Sequence, residues 1–238
     1  MFFYFMKKHF ITYGDEKFKL SRERICKEAA NTEWFDTIKC YTRDDLDQEF
    51  KNEFKDILEQ PRGGGYWIWK PHIILKKLEE IEEGDILVYL DSGCSIYKKG
   101  EDRFNTYIDA LIKSDVGVLS ISIGKIATEK RWTTKEIFNY FDVDTNSEIA
   151  KSSQYLGGIR IMKKCDNLYR LLHMELDAYR HDHNLVTDFY NKNGQLGCFK
   201  DNRHEQSIFS IIRKKNNPIV FPHINDDASP WKDTRIRR

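Results

Sequence analysis

The segment Ile86-Leu87-Val88-Tyr89-Leu90-Asp91-Ser92-Gly93 decides the predicted fold. Five consecutive residues with apolar or aromatic side chains, followed at once by a carboxylate and a glycine-containing loop, are typical of a strand buried on both faces. Such strands occur in parallel sheets that carry helices on each side. The segment therefore predicts an α/β protein with a central, mostly parallel sheet and helices on both faces.

The rest of the chain alternates between strand-like and helix-like patterns, which extends this sheet. Further strands are predicted over 9–12, 37–41, 117–121, 156–162 and 219–221. Helices are predicted over 20–30, 46–58, 73–81, 104–112, 135–141, 168–179 and 205–213. Thr42 is the expected N-cap of the second helix, and Gly63-Gly64-Gly65 its end. Because no linker or repeat divides the chain, residues 1–238 are predicted to form one domain.

The charge and the apolar runs exclude some classes of partner. The 39 Lys and Arg residues balance 38 Asp and Glu residues, for a formal net charge of +1. This balance gives no basis for a nucleic-acid partner, so none is expected. No stretch approaches the roughly 20 apolar residues that cross a bilayer, so no transmembrane segment is expected either.

The start of the chain and the cysteines bear on location. The apolar run Met1–Met6 is followed at once by Lys7-Lys8 and lacks the basic region and cleavage site of a signal peptide. We interpret it as the beginning of the first strand, with a peripheral membrane contact as the alternative. The cysteines are dispersed, odd in number and without a C-x-x-C pair, which predicts free thiols at Cys26, Cys40, Cys94, Cys165 and Cys198. These features predict a cytoplasmic protein.

Asp91 is the first candidate for a functional residue. In an open parallel sheet, ligands bind beyond the carboxyl ends of the strands, and Asp91 directly follows the buried strand. A carboxylate there can hold a divalent cation that neutralises phosphates. The alternative is that Asp91 caps the following turn, as acids after strands often do.

Four segments, in this order, resemble small GT-A fold glycosyltransferases of bacterial surface-polysaccharide loci and large DNA viruses. They are Tyr66-Trp67-Ile68-Trp69-Lys70-Pro71, Leu87-Val88-Tyr89-Leu90-Asp91-Ser92-Gly93, Tyr155-Leu156-Gly157-Gly158-Ile159 and Arg203-His204-Glu205-Gln206-Ser207. The resemblance covers most of the chain. It implies a single-domain, Rossmann-like GT-A fold that moves a sugar from a nucleotide-sugar donor to a glycan or other hydroxyl acceptor.

The resemblance also implies a metal, Mn²⁺ or Mg²⁺, against the diphosphate of the donor. Members of the family hold it with an Asp-x-Asp motif at the end of a central strand. Asp91 matches the first acid, whereas Gly93 stands where the second would be. A third ligand in related enzymes often comes from a late histidine or aspartate, and His223 is the best positional match. Asp91 and His223 are therefore the predicted ligands, with an ordinary loop position as the alternative for His223.

The predicted donor site combines strand ends with the resemblance. The loop Tyr13-Gly14-Asp15 follows the first strand, where GT-A folds receive the base and ribose, and Lys70 suits a donor phosphate. Arg131 and the tail Arg235–Arg238 are candidates for the leaving phosphates. Each residue also has an ordinary structural role open to it. The full set is Tyr13, Gly14, Asp15, Trp67, Lys70, Ser92, Gly93, Arg131, Gly157, Gly158, His204 and Gln206.

Glu205 and Asp91 are the predicted catalytic residues. Glu205 opens a predicted helix at the point where the resembled family brings an acid to the reacting sugars. In an inverting reaction such a carboxylate can act as general base on the acceptor hydroxyl, and a retaining reaction needs no such base. The sequence leaves the stereochemistry open, and an acid that favours the helix dipole is the alternative for Glu205.

Two other functions stay open at this stage. Because Gly93 replaces the second metal acid, the chain can be a non-catalytic nucleotide- or carbohydrate-binding protein of the same fold. A nucleotidyltransferase on a similar sheet is a third hypothesis, although the sequence has no Gly-rich phosphate loop followed by a lysine.

Overall fold

The computed structural model describes residues 6–223 and 226–232. The tail Arg235–Arg238 and residues 1–5 of the apolar start therefore lie outside the described residues. The strands are β1 Lys8–Tyr13, β2 Thr37–Tyr41, β3 Ile86–Leu90, β4 Ser95–Ile96, β5 Val118–Ser122, β6 Ile159–Lys163, β7 Ile219–Pro222 and β8 Trp231–Lys232. The helices are α1 Lys19–Thr32, α2 Gln48–Glu53, α3 Lys55–Leu58, α4 Gly63–Tyr66, α5 Trp69–Glu79, α6 Glu101–Ile112, α7 Glu129–Trp132, α8 Lys135–Tyr140, α9 Glu148–Lys151, α10 Asp166–His181 and α11 Glu205–Lys214.

Six of these strands form one mostly parallel sheet in the order β2-β1-β3-β6-β5-β7. β1 pairs in parallel with both β2 and β3, and β5 pairs in parallel with β7. β6 runs antiparallel to its neighbours β3 and β5. β4 and β8 form a separate two-stranded ribbon. The predicted mostly parallel sheet is confirmed, with β6 as its reversed strand.

Helices cover both faces of the sheet, as predicted. Leu87 and Tyr89 of β3 belong to a core cluster with residues of α5, α10 and α11, whereas Ile86, Val88 and Leu90 belong to a second cluster with residues of α1 and α6. Successive side chains of a strand point to opposite faces, so one apolar strand serves two cores. This explains why every position of Ile86–Leu90 carries an apolar or aromatic side chain.

The helix predicted over 46–58 is broken into shorter pieces. Thr42 does act as an N-cap, but of a 3-10 turn, Arg43–Asp45, in a capping box in which Asp45 bonds back to the Thr42 amide at 2.7 Å. Leu46 is then extended, with ψ of 136°. The chain resumes as α2 and α3, which meet at Phe54. Local bonds of the capping box end the first turn, and the buried side chains still reach the core.

The prediction of five free thiols is wrong for two of the cysteines. Cys26 of α1 and Cys40 of β2 are joined in a disulfide, with Cα atoms 6.9 Å apart. The helix packs beside this strand, a proximity that spacing in the sequence cannot show. Cys94, Cys165 and Cys198 take no part in this disulfide. Because Cys26 and Cys40 are bonded, five free thiols can no longer be used as an argument for a reducing compartment. Within the described ranges, none of the helices combines the length and apolar character needed to cross a membrane.

Candidate active site

A cavity of about 650 Å³ opens at the carboxyl edge of the sheet, between β1 and β3. The β1–β3 register pairs Ile11 with Tyr89, so Tyr13 and Asp91 both lie two residues further along at this edge. The antiparallel β6 begins here, and α11 starts beside it. Eleven of the predicted residues line the cavity: Tyr13, Gly14, Asp15, Trp67, Asp91, Ser92, Gly93, Gly158, His204, Glu205 and Gln206.

Four predicted residues do not line the cavity. Lys70 and Gly157 lie directly beneath it and bond to each other, Lys70 Nζ to Gly157 O at 3.1 Å. Arg131 lies in α7, whose next residue, Trp132, does line the cavity. His223 follows β7, three strand spacings from β3 in the sheet order, which corresponds to about 14 Å. The sheet therefore keeps the end of β7, and with it His223, away from Asp91.

Lys70 is the centre of a group of charges under the cavity. Its side chain is fully buried. The ammonium contacts Asp91 Oδ1 at 3.2 Å, Gly157 O at 3.1 Å and Glu205 Oε1. An ammonium has three N–H donors, so these three oxygens account for all of them.

Arg160 of β6 completes this group. It makes two bonds of 2.8 Å to Glu175 of α10, one to each oxygen, and its Nη2 donates to Glu205 Oε2 at 3.0 Å. Tyr179 OH also donates to Glu175, at 2.8 Å. We call Lys70, Arg160, Glu175 and Glu205 the charged floor. Within it, one oxygen of Glu205 accepts from Lys70 and the other from Arg160.

Asp91 lies between the charged floor and the cavity. Its Oδ1 accepts from Tyr89 OH at 2.5 Å and contacts Lys70, while the side chain stays 38% exposed. Its amide donates to Gly158 O at 2.8 Å. A Cβ on Gly158 would lie 2.6 Å from Asp91 Oδ2, so a larger residue at this position would displace the Asp91 carboxylate. Burial, reinforced by Asp91, raises the pKa of Tyr89 well above its ordinary value, so this hydroxyl remains a donor.

The described residues do not fit a divalent cation at Asp91. No three His, Cys, Asp or Glu side chains in the described ranges come together as a ligand set. Gly93 adds no carboxylate, and a cation at Asp91 would share that carboxylate with the ammonium of Lys70. Like charges repel at such distances. The local positive charge at Asp91 is that of Lys70.

An aromatic wall of Tyr13 and Trp69 also lines the cavity. Tyr13 and Trp69 stack with ring centroids 3.7 Å apart, and Trp69 Nε1 donates to Gly63 O at 3.1 Å. Five successive residues, 63–67, have positive φ, a left-handed turn that three glycines permit. Trp67 and Trp69, two positions apart, both line the cavity. The left-handed turn reorients Trp67, so strand or helix periodicity does not apply to the pair.

The rim of the cavity holds a second polar group, of which the predicted site residues include only His204. His204 Nε2 bonds to Asp188 Oδ1 at 2.9 Å. Arg62 Nη1 donates to both oxygens of Asp188, at 2.9 and 2.8 Å, and Tyr66 OH donates to Oδ2 at 3.0 Å. We call Asp188, His204, Arg62 and Tyr66 the rim cluster. Arg62 and Asp188 are 126 positions apart and in irregular segments, so no local pattern signals their pairing.

Comparison with known proteins gives distant similarities in structure. No protein-family model and no curated protein matches the chain. A glycosyltransferase involved in glycosylation of the major capsid of PBCV-1 is 13% identical, over 91% of this chain and 82% of that chain, with a TM-score of 0.47. Mouse xyloside xylosyltransferase 1 is 10% identical, over 92% and 84%, with a TM-score of 0.46. A 4-diphosphocytidyl-2C-methyl-D-erythritol synthase is 12% identical, over 95% and 92%, with a TM-score of 0.45. At these values, the activity has to be inferred from this chain's own site.

Proposed function

We propose that this chain is a glycosyltransferase that binds a nucleotide-sugar in the cavity and moves the sugar to a hydroxyl of a glycan or another acceptor. The observation that carries the proposal is the convergence of Tyr13-Gly14-Asp15, Asp91 and the start of α11 in one cavity. Its volume of about 650 Å³ lies in the range of about 300–1,000 Å³ that small-molecule sites occupy. It also lies beyond the carboxyl ends of parallel strands, where α/β sheets bind ligands.

The lining of the cavity suits the parts of a nucleotide-sugar. Aromatic faces such as Trp67 pack against the flat surfaces of bases and the C–H faces of sugars. Asp15 offers a carboxylate for ribose hydroxyls. Arg203 lines the same cavity and supplies positive charge for a diphosphate, whereas the charge of Arg62 is paired with Asp188 and Asp201. Arg203 is held by Trp132, over whose ring its guanidinium lies at 3.9 Å.

The Mn²⁺ or Mg²⁺ predicted at Asp91 and His223 stays a prediction, and the proposed transfer assigns no step to it. The contact of Lys70 with Asp91 supports donor binding without a cation. We therefore expect the affinity for a nucleoside diphosphate to differ by less than about twofold between buffers with Mn²⁺ and with EDTA, measured by isothermal titration calorimetry. An increase of tenfold or more with Mn²⁺ would restore the metal hypothesis.

Calorimetric titration with uridine, guanosine, adenosine and cytidine diphosphates tests the donor site. Arg203→Gln is expected to weaken the best of them by about tenfold, because a hydrogen bond to a charged phosphate is lost. Arg103→Gln is the matched control, since Arg103 pairs with Asp226 outside this cavity. It should leave the affinity within about twofold.

The turnover of the matching nucleotide-sugars separates an enzyme from a binding protein. Hydrolysis or transfer that releases the nucleoside diphosphate supports the proposal. Nucleotide binding without turnover, or affinity for glycans alone, would favour the non-catalytic alternative. Release of pyrophosphate from a nucleoside triphosphate and a sugar phosphate would identify a nucleotidyltransferase instead.

A further inference from the structure

We propose that His204, positioned by Asp188, is the general base that takes the proton from the acceptor hydroxyl, and that the transfer inverts the anomeric centre. This inference rests on the proposed function above and assigns a residue to its chemical step. It is carried by the hydrogen bonds of the rim cluster, by the backbone conformation of His204 and by the contacts of its neighbour Glu205.

The hydrogen bond to Asp188 decides which nitrogen of His204 is basic. An ionised carboxylate only accepts hydrogen bonds, so Nε2 carries the proton toward Asp188 Oδ1. In a neutral imidazole the lone pair is then on Nδ1. No described residue hydrogen-bonds to Nδ1. Since Nδ1 is also not a fully buried atom without a partner, it is accessible at the surface or in the cavity. His204 lines the cavity, so Nδ1, which no described residue bonds, is the nitrogen left for a substrate hydroxyl.

The charges around the pair keep Asp188 ionised and His204 neutral. Burial alone would raise the pKa of Asp188, but the hydrogen bonds from His204 and Arg62 outweigh it and lower the pKa. Burial is also the largest influence on His204 and lowers its pKa below 6.5. Asp188 and Asp201 oppose that shift, while Arg62 adds to it. A neutral imidazole at pH 7 is the form that can accept a proton.

The backbone at His204 is held in a conformation that residues with a side chain rarely adopt. Its φ is 54° and its ψ is −126°. The surroundings maintain this conformation: Asn202 Oδ1 accepts the His204 amide at 3.1 Å, and the rings of Tyr66 and Trp67 lie 5.2 and 5.4 Å from the imidazole. Strain of this kind concentrates at functional sites, where packing over-determines it. Glycine would adopt this conformation at a lower energetic cost, so the presence of histidine indicates a function for its side chain.

Glu205, the acid next in the chain, is engaged elsewhere. Its two oxygens accept from Lys70 and Arg160. A base must leave an oxygen lone pair directed at the proton that it abstracts. In this geometry the charged floor takes up both oxygens of Glu205, whereas the rim cluster leaves Nδ1 of His204 available.

The proposed step balances as a direct displacement. The acceptor oxygen forms a bond to the anomeric carbon of the donor while the bond from that carbon to the phosphate oxygen breaks. The nucleoside diphosphate leaves with the electron pair, and the proton of the acceptor hydroxyl moves to His204 Nδ1. Attack from the side opposite the leaving group inverts the configuration, so the outcome can be read from the anomer of the product.

His204→Gly with added imidazole tests the base directly. Glycine adopts the observed φ and ψ readily, so the variant is expected to fold, and its melting temperature checks this. Turnover should fall by about 10²- to 10⁴-fold while nucleoside diphosphate affinity stays within about twofold. Free imidazole should raise the turnover of the variant at least about tenfold, an effect not expected if the histidine were purely structural. Near-normal turnover, a loss that imidazole does not restore, or a product of retained configuration would overturn the inference.

Asp188→Asn gives an independent test that keeps the imidazole. The carboxylate raises the pKa of His204, so its loss should shift the acid limb of the kcat/KM profile to lower pH and lower turnover by about tenfold or more. Exposed Asp144→Asn is the matched control and should leave the profile unchanged. An unmoved acid limb would contradict the role of His204. Wild-type transfer in the same assay separates the two proposals, because an inactive wild type overturns the proposed function and an active one leaves only the base in question.

Discussion

His204 and Glu205 are neighbours in the chain, and both are buried beside the same cavity, but their side chains bond to different partners. Glu205 points into the charged floor, where Lys70 and Arg160 occupy its oxygens. His204 belongs to the rim cluster, where Asp188 holds one nitrogen and leaves the other available to the cavity. The two residues share the start of α11, so the helix alone does not distinguish them. The difference lies in their partners from distant segments.

This contrast separates a structural group from a chemical one. A buried polar network whose members are satisfied by one another stabilises and specifies one arrangement of the core. A polar atom left without a partner at the edge of a cavity, on a strained backbone, contributes little to folding and is available for chemistry.

The largest expected effect is at the floor. Glu205→Gln removes a carboxylate between two buried cations, and breaking a buried ion pair from one side costs about 3–5 kcal/mol. We expect the free energy of unfolding, measured by urea denaturation, to fall by that amount. Exposed Glu148, which is 3.5 Å from Lys151, provides the matched control, and Glu148→Gln should change it by less than about 0.5 kcal/mol.

The same variant can break the comparison. If Glu205→Gln keeps the wild-type unfolding curve but loses about two orders of magnitude in turnover per folded molecule, Glu205 is the general base. The assignment of His204 would then be wrong, and the catalytic role predicted for Glu205 from the sequence would stand.

Periodicity predicts most of the fold because it records burial. β2 and β3 have the bounds that the sequence predicts, and α10 and α11 differ from their predicted bounds by one or two residues. These segments are buried on a regular face, so their composition follows their geometry. The predictions were less accurate where local hydrogen bonds compete with periodicity, as at Thr42, and where a strand reverses direction, as in β6. Direction is set by pairing partners, which a single strand does not encode.

The candidate site was predictable only where it follows a strand or opens a helix. Asp91 and Tyr13 were found because they end parallel strands, and that position alone brings them to one edge. Arg160, Glu175 and Asp188 were missed. Arg160 lies inside a strand and Glu175 inside a helix, and their contacts join segments far apart in the chain. Charged residues in such elements are usually solvent-facing, so the sequence gives no sign of their burial.

A smaller effect is expected at the boundary between floor and cavity. Gly158→Ala places a Cβ 2.6 Å from Asp91 Oδ2, so Asp91 has to move from Tyr89 and Lys70. Overpacking of this kind costs about 1–3 kcal/mol, and we expect weaker nucleoside diphosphate binding as well. Gly197→Ala, whose Cβ would meet no atom within 4 Å, is the matched control for both measurements. Equal nucleoside diphosphate affinities in the two variants would mean that Asp91 does not contribute to donor binding.

The smallest effect concerns the pH dependence of stability at the rim. Burial lowers the pKa of folded His204 below the ordinary 6.5, although Asp188 and Asp201 oppose it and Arg62 adds to it. Between the two pKa values the unfolded chain binds more protons, so stability falls as the pH drops through 6.5 and levels off below the folded pKa. His204→Gln removes this contribution. We therefore expect the loss of melting temperature from about pH 7.5 to about pH 5.5 to be smaller in His204→Gln than in the wild type.

His72→Gln is the matched comparison, because burial also lowers the pKa of His72, which does not line the cavity. This variant should reduce the loss of melting temperature without lowering turnover. A loss in His204→Gln as large as in the wild type would show that His204 is not held neutral by its surroundings, and the contrast between rim and floor would lose its electrostatic basis.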